Sequence, residues 1–180
     1  MNKLKKPFSD KVVIITGGSR GIGRAITQAF SDLGAQLTIA ALHDDTLERT
    51  LTELQQTNHP VECCGGDLAN PATAQRIFNH TMERFGRVDV LVNCAGIITR
   101  TPMLDLAHED WHQVINVNLH GTYYMCQAVL PQMCEQQSGK IINITSQMAS
   151  MPHPGASPSY EVSKAAMAAL TRHMVLHFAS

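Results

Sequence analysis

Two residues of this chain are spaced to move a proton. Tyr160 and Lys164 stand four apart in Ser159-Tyr160-Glu161-Val162-Ser163-Lys164, and positions i and i+4 share one face of an α-helix. The Lys164 ammonium can then lie beside the Tyr160 phenol, and a fixed positive charge there favours phenolate. A tyrosine held this way can exchange a proton with an alcohol or a carbonyl. Far upstream lies Thr16-Gly17-Gly18-Ser19-Arg20-Gly21-Ile22-Gly23. Its glycines permit a tight turn and close approach of the backbone to a pyrophosphate resting on a helix N-terminus. The spacing Gly17-x-x-x-Gly21-x-Gly23 is not the commoner G-x-G-x-x-G. Taken alone it also fits an ordinary strand-to-helix turn.

The elements that must position these residues alternate between strand and helix. Lys11 to Thr16 is a β-branched apolar run suited to a strand buried on both faces. Gly21 to Leu33 carries Ile22, Ala25, Ile26, Ala29, Phe30 and Leu33 at helical spacing, and Gly34 ends it. Strands are expected at Gln36 to Ala41, Val61 to Gly65, Val88 to Asn93 and Gly139 to Thr145. Helices are expected at Asp44 to Gln56, Pro71 to Phe85, His108 to Gln132 and Ser159 to Phe178, with a loop at Gln147 to Ser157. Such alternation implies βαβ units and a parallel sheet. The expected fold is one α/β domain over residues 1–180, a doubly wound parallel sheet of Rossmann type with helices on both faces.

Composition excludes several other classes. Of 180 residues, 44% are hydrophobic and 16% charged, ordinary values for a soluble globular chain. The net charge of −1 gives no electrostatic case for nucleic acid or an anionic membrane. No apolar run approaches the roughly 20 residues that span a bilayer, and the basic N-terminus lacks the apolar stretch of a signal peptide. The odd set of 5 cysteines has no Cys-x-x-Cys spacing and reads as reduced thiols. A cytoplasmic location fits best.

The motifs together resemble the short-chain dehydrogenase/reductase family. The matching residues are Thr16-Gly17-x-x-x-Gly21-x-Gly23, Asp67-Leu68, Asn93-Cys94-Ala95-Gly96, Asn118-Leu119, Ser146 and Tyr160-x-x-x-Lys164, in family order over essentially the whole chain. The resemblance implies a Rossmann-type oxidoreductase that moves a hydride between nicotinamide and a secondary alcohol or ketone. Tyr160 and Lys164 would be catalytic, Ser146 would hydrogen-bond the substrate oxygen, and Asn118 would anchor a water in a proton relay. Gly17, Ser19, Arg20, Gly21, Ile22, Gly23, Asp67, Leu68, Asn93, Ala95 and Gly96 would bind the cofactor beside Tyr160 and Lys164. Asp67 would meet the adenine amino group, or cap a helix. Cys94 replaces the second asparagine of the usual Asn-Asn-Ala-Gly, a change that bears more on the sheet than on chemistry.

Cofactor choice in such proteins is read at the end of the second strand, where an acidic residue binds the ribose 2′-hydroxyl and a basic one the 2′-phosphate. The acidic position falls at Ala41 and the next at Leu42. Arg20, assisted by His43, would meet a 2′-phosphate, or Arg20 is a solvated loop residue; NADP is favoured, with NAD possible. Ala95 to Arg100 and Pro158 to Tyr160 are similar to sugar-acid dehydrogenases of the family, and 3-oxoacyl-carrier-protein reductases are the nearest rival. Arg100 either meets a substrate carboxylate or is a surface arginine.

His108-Glu109-Asp110-Trp111-His112 matches the zinc-protease motif H-E-x-x-H. No third ligand follows, and no metal is expected. His173 and His177 repeat the spacing and suit a solvated or interface face. The resemblance also implies a longer chain, with further strands and a substrate-covering loop beyond Ser180. The expectation is therefore a C-terminally truncated sheet, its last strands missing and one edge exposed. The alternative function is a cofactor-binding or interaction fragment without turnover. At full length the resemblance implies a homodimer or homotetramer acting on a small-molecule ketone or alcohol.

Overall fold

The computed structural model describes residues 6–42, 45–56 and 60–179. The chain begins its fold with strand β1 (Val12–Thr16), buried at every position. Its side chains alternate between two faces. Ile14 enters one apolar cluster with Ile77, Leu91, Met125 and Val129. Val13 and Ile15 enter the opposite one with Leu37, Ile39, Leu47 and Leu54.

Helix α1 (Gly21–Asp32) follows, then β2 (Gln36–Ala41), α2 (Asp45–Gln55), β3 (Val61–Gly65), α3 (Pro71–Phe85) and β4 (Val90–Asn93). Asn70 caps α3 by accepting from the Ala72 N–H at 3.0 Å, and Pro71 stands in the first turn. Next come α4 (His108–Ile115), α5 (Gly121–Glu135), β5 (Lys140–Asn143) and α6 (Pro158–Phe178). The five strands are parallel in the order β3-β2-β1-β4-β5. Strand order reverses between β1 and β4, which opens a crevice at the C-terminal ends of the strands. Helices α1 and α2 cover one face, and α3, α5 and α6 the other. This is the doubly wound fold expected.

Several element ends shift by one residue, and four differences are larger. The fourth strand starts at Val90, because Asp89 uses its side chain at the sheet margin: its carboxylate accepts from the Val12 N–H at 2.9 Å and from Arg87 and Lys11. The fifth strand is shortened to Lys140–Asn143, the span that registers with β4 through Val90↔Lys140 to Asn93↔Asn143. The single long helix expected from His108 is interrupted by a π-helical turn at Asn116–His120. The expected loop at Gln147 opens with a 3₁₀ turn, Gln147–Ala149. Strand β5 lies at the sheet edge, and its Ile142 is 43% exposed. No helix among the described residues is long and apolar enough to cross a membrane.

Candidate active site

A cleft of about 690 Å³ runs along the C-terminal ends of the strands. The β1–α1 turn contributes Gly17, Ser19, Arg20, Ile22 and Gly23, and the end of β2 adds Ala41 and Leu42. Asp67 and Leu68 line it after β3, and Ala95 and Gly96 after β4. Tyr160 and Lys164 face it from α6. Segments far apart in sequence thus meet at one crevice because parallel strands all end on the same side.

The turn after β1 needs its glycines. Gly17 has φ +66°, and a Cβ there would come 2.8 Å from the Ala95 Cα. A Cβ on Gly23 would overlap the Gly17 carbonyl. Two threonines outside the motif brace this turn. Thr27 Oγ1 donates to the Gly18 and Gly23 carbonyls at 3.1 and 2.9 Å, and Thr50 Oγ1 donates to the Ser19 carbonyl at 3.1 Å. Thr16 Oγ1 in turn accepts from the Cys94 and Ala95 N–H groups. Gly21 has φ +53° and shapes the turn without lining the cleft.

Lys164 is 4% exposed and donates from Nζ to the Ile144 carbonyl at 2.8 Å. Its Nζ lies 5.9 Å from the centre of the Tyr160 ring. Burial pushes Lys164 below the usual lysine range, opposed by the neighbouring Cys94. Burial raises the Cys94 thiol, with Lys164 acting against it. A Cβ on Gly96 would stand 3.2 Å from Asn118 Oδ1 and 3.5 Å from Lys164 Nζ, so this corner has room only for glycine without adjustment.

Other expected site residues stand behind or beside the cleft. Asn118, fully buried in the π-helical turn, accepts from the Ile97 N–H and donates to the Ile97 carbonyl and Ser163 Oγ. Its own carbonyl accepts from Thr122 Oγ1 at 2.8 Å. Ser146 lies outside the cleft lining, its Oγ accepting from the Met148 N–H at 3.2 Å to cap the 3₁₀ turn. Asn93 corrects the expectation of a cofactor-lining side chain. Its amide is 1% exposed and donates to Asn143 Oδ1 at 2.9 Å and to Cys126 Sγ, because its place in β4 turns it towards α5 and β5. Cys94, expected to bear on the sheet, packs against the core cluster of Val13 and Ile15 and also lines the cleft. Asp67 does so too, with Oδ1 accepting from the Ala69 N–H, while the cap of the following helix is Asn70. His43 lies outside the described residues.

Helix α4 adds Glu109, His112 and Gln113 to the lining, and the π turn that follows adds Asn116, none of them a family-motif position. Their i, i+3, i+4, i+7 spacing is visible in the sequence, hidden under the H-E-x-x-H match. His108 is not among the lining residues, and no group of three or more metal-ligating side chains occurs among the described residues. Arg100 is likewise outside the cleft lining and donates from Nη1 to the Gly155 carbonyl at 3.0 Å.

Comparison with known proteins bears on the family and the fold. The family model for short chain dehydrogenases matches residues 11–180. A 3-oxoacyl-[acyl-carrier-protein] reductase of Synechocystis sp. is 33% identical over 171 residues, covering 94% of this chain and 69% of that protein. An uncharacterized oxidoreductase of Staphylococcus aureus is 32% identical over 165 residues, covering 92% of this chain and 70% of that protein. A crystal structure of a short chain dehydrogenase from Bacillus anthracis superposes with a TM-score of 0.88 at 32% identity, covering 93% of this chain and 70% of that one. This chain belongs to the short chain dehydrogenase family of NAD(P)-dependent oxidoreductases.

Proposed function

We propose that the chain is an NADP-preferring dehydrogenase/reductase for a secondary alcohol or ketone, with Tyr160 as general acid and base. The observation that carries this reading is the buried Lys164 beside Tyr160, on the wall of the cleft that the glycine turn also lines. A bound nicotinamide supplies the hydride chemistry. Tyr160 Oη gives its proton to the carbonyl oxygen during reduction and takes one from the hydroxyl during oxidation. The Lys164 cation favours the phenolate left after proton donation. Ser146 would offer a hydroxyl to the substrate oxygen. A water anchored at Asn118 would have to use the backbone carbonyl, since the side-chain amide is engaged by Ile97 and Ser163.

Preference for NADP is supported by charge. Ala41 and Leu42, at the end of β2, are not acidic and line the cleft. Arg20 sits at the N-cap position of α1, exposed, and pairs with no described acid. Arg24 nearby is occupied by Glu53 at 2.8 Å. Arg20 is thus the cation of the turn left to meet a 2′-phosphate.

Arg100, tied to Gly155, does not favour a sugar-acid carboxylate, so 3-oxoacyl thioesters come first among substrates to assay. The coverage of about 70% of relatives' lengths leaves a second reading, nucleotide binding without turnover. Fluorescence titration with NADPH and NADH, followed by turnover on 3-oxoacyl thioesters and keto-sugar acids, tests both. Turnover abolished by Tyr160→Phe is the expected result. Binding without turnover favours the second reading, and no binding of either nucleotide overturns both.

A further inference from the structure

We infer that a clasp between the segment after β4 and the loop before α6 sets the place of Tyr160, with Thr99 and Ser157 as positioning residues. The inference rests on the proposed reading of Tyr160 as the acid/base group. Helix α6 begins at Pro158, two residues before Tyr160, and Ser157 occupies its N-cap position. A serine there ordinarily turns its oxygen onto the helix's own N–H groups. Here it makes no such bond. Its Oγ instead accepts from Thr99 Oγ1 at 2.7 Å and meets Ser159 Oγ at 2.8 Å. The Ser157 N–H also donates to the Thr99 carbonyl at 3.1 Å.

Two of the three hydroxyls of this group are removed from water, and that of Thr99 is half-buried. Ser157 and Ser159 are both 0% exposed, where a hydrogen bond once made is expensive to lose. Flanking contacts hold the same loop. Arg100 Nη1 donates to the Gly155 carbonyl, and the His153 N–H donates to Glu161 Oε1 at 2.7 Å. Ile97 and Ile98, just before Thr99, line the cleft. The clasp therefore joins the cleft wall directly to the first turn of α6.

Displacement of Ser157 passes to the catalytic helix, because the Tyr160 N–H donates to the Ser157 carbonyl at 3.1 Å. Lys164 has a separate anchor, the Ile144 carbonyl behind β5. The glycine turn has its own braces in Thr27 and Thr50. Loosening the clasp thus moves Tyr160 relative to Lys164 while leaving the nucleotide cradle in place. Small errors in such placement lower the chemical step more than they lower binding.

The test uses the full chain labelled with 3-fluorotyrosine, which places probes at its 3 tyrosines. Tyr160→Phe assigns the Tyr160 fluorine resonance, and Tyr123 and Tyr124 on α5 serve as internal controls. Thr99→Val should shift or broaden the Tyr160 line and leave the two controls unmoved. Thr99→Ser should restore the line, whereas in Thr99→Val NADPH affinity should stay within about twofold while kcat falls roughly tenfold. An unmoved Tyr160 line in Thr99→Val overturns the inference. So does simultaneous movement of all three lines with a fallen melting temperature, the mark of a merely structural role. If Tyr160→Phe keeps full turnover, the acid/base reading fails, whatever the fluorine spectrum shows of the clasp.

Discussion

The side chain of Asn118 reads the backbone of Ile97 in both directions, accepting its N–H at 2.8 Å and donating to its carbonyl at 2.9 Å. That pairing fastens the π-helical turn to the cleft segment that follows β4, while the contact with Ser163 Oγ fastens it to α6. A π turn lets a helix aim a side chain that regular 3.6-residue winding would carry elsewhere, and such turns recur at functional sites. Replacing Asn118 with alanine strands two backbone groups of Ile97. We expect a loss of about 2–3 kcal/mol in denaturant stability. Nucleotide affinity should fall as well, measured by fluorescence titration.

Lys164→Met should separate stability from chemistry. Burial disfavours the charged form of Lys164, and methionine has a similar length without that penalty. The Ile144 carbonyl loses its donor, which offsets part of the gain. The expected outcome is a melting temperature equal to or above that of the parent chain. Turnover on the best ketone should fall by about 10²-fold or more. A melting temperature lowered by several degrees would show that the ammonium is a net structural asset.

Cofactor preference should respond to two single changes at the adenosine end of the cleft. Arg20→Ala should weaken NADPH by roughly tenfold, the loss of about one charge-assisted hydrogen bond, and leave NADH nearly untouched. Ala41→Asp should invert the preference by repelling a 2′-phosphate and accepting from a 2′-hydroxyl. Parallel titrations with both nucleotides read the ratio. Equal weakening of NADPH and NADH by Arg20→Ala would contradict the phosphate assignment.

Asp89 supplies an acid limb to stability. Burial by itself raises its carboxyl, but hydrogen bonds from Arg87, the Val12 N–H and Lys11 outweigh that effect and hold it below the usual range. The unfolded chain therefore binds a proton at higher pH than the folded one. The stabilisation is complete above the ordinary aspartate range and is lost as pH falls through the lowered folded value. Asp89→Asn should cost about 2 kcal/mol near neutral pH, since both cationic partners are about half exposed. Urea unfolding from neutral pH down to strong acid should show a flatter acid limb in the variant.

Residues whose roles follow from local geometry are legible in the chain's own order. Tyr160 and Lys164 share a helix face by winding alone, and Gly17 and Gly23 sit where a strand must turn into a helix. Asn93 is not legible in this way. Whether a strand-end side chain faces the cleft or the neighbouring layer depends on register with β1 and β5, and register is a non-local quantity. The stripe of Glu109, His112, Gln113 and Asn116, on α4 and the π turn after it, has a visible period, but period alone does not say which neighbour a helix face will meet. Arg100 shows the same limit, since its partner Gly155 lies 55 positions away.

The sequence by itself determined the family, the alternation of strand and helix, and the placing of Tyr160 and Lys164 on one helix face, because each is written in short-range spacing and residue type. Tertiary structure decided the rest. It widened the helix into a π turn at Asn116–His120 around Asn118, buried Lys164 against Ile144, drew Arg100 away from the cleft and turned Asn93 into the sheet. Each of those outcomes depends on which buried polar group finds which partner when distant segments pack, and only the folded chain brings the candidates within reach.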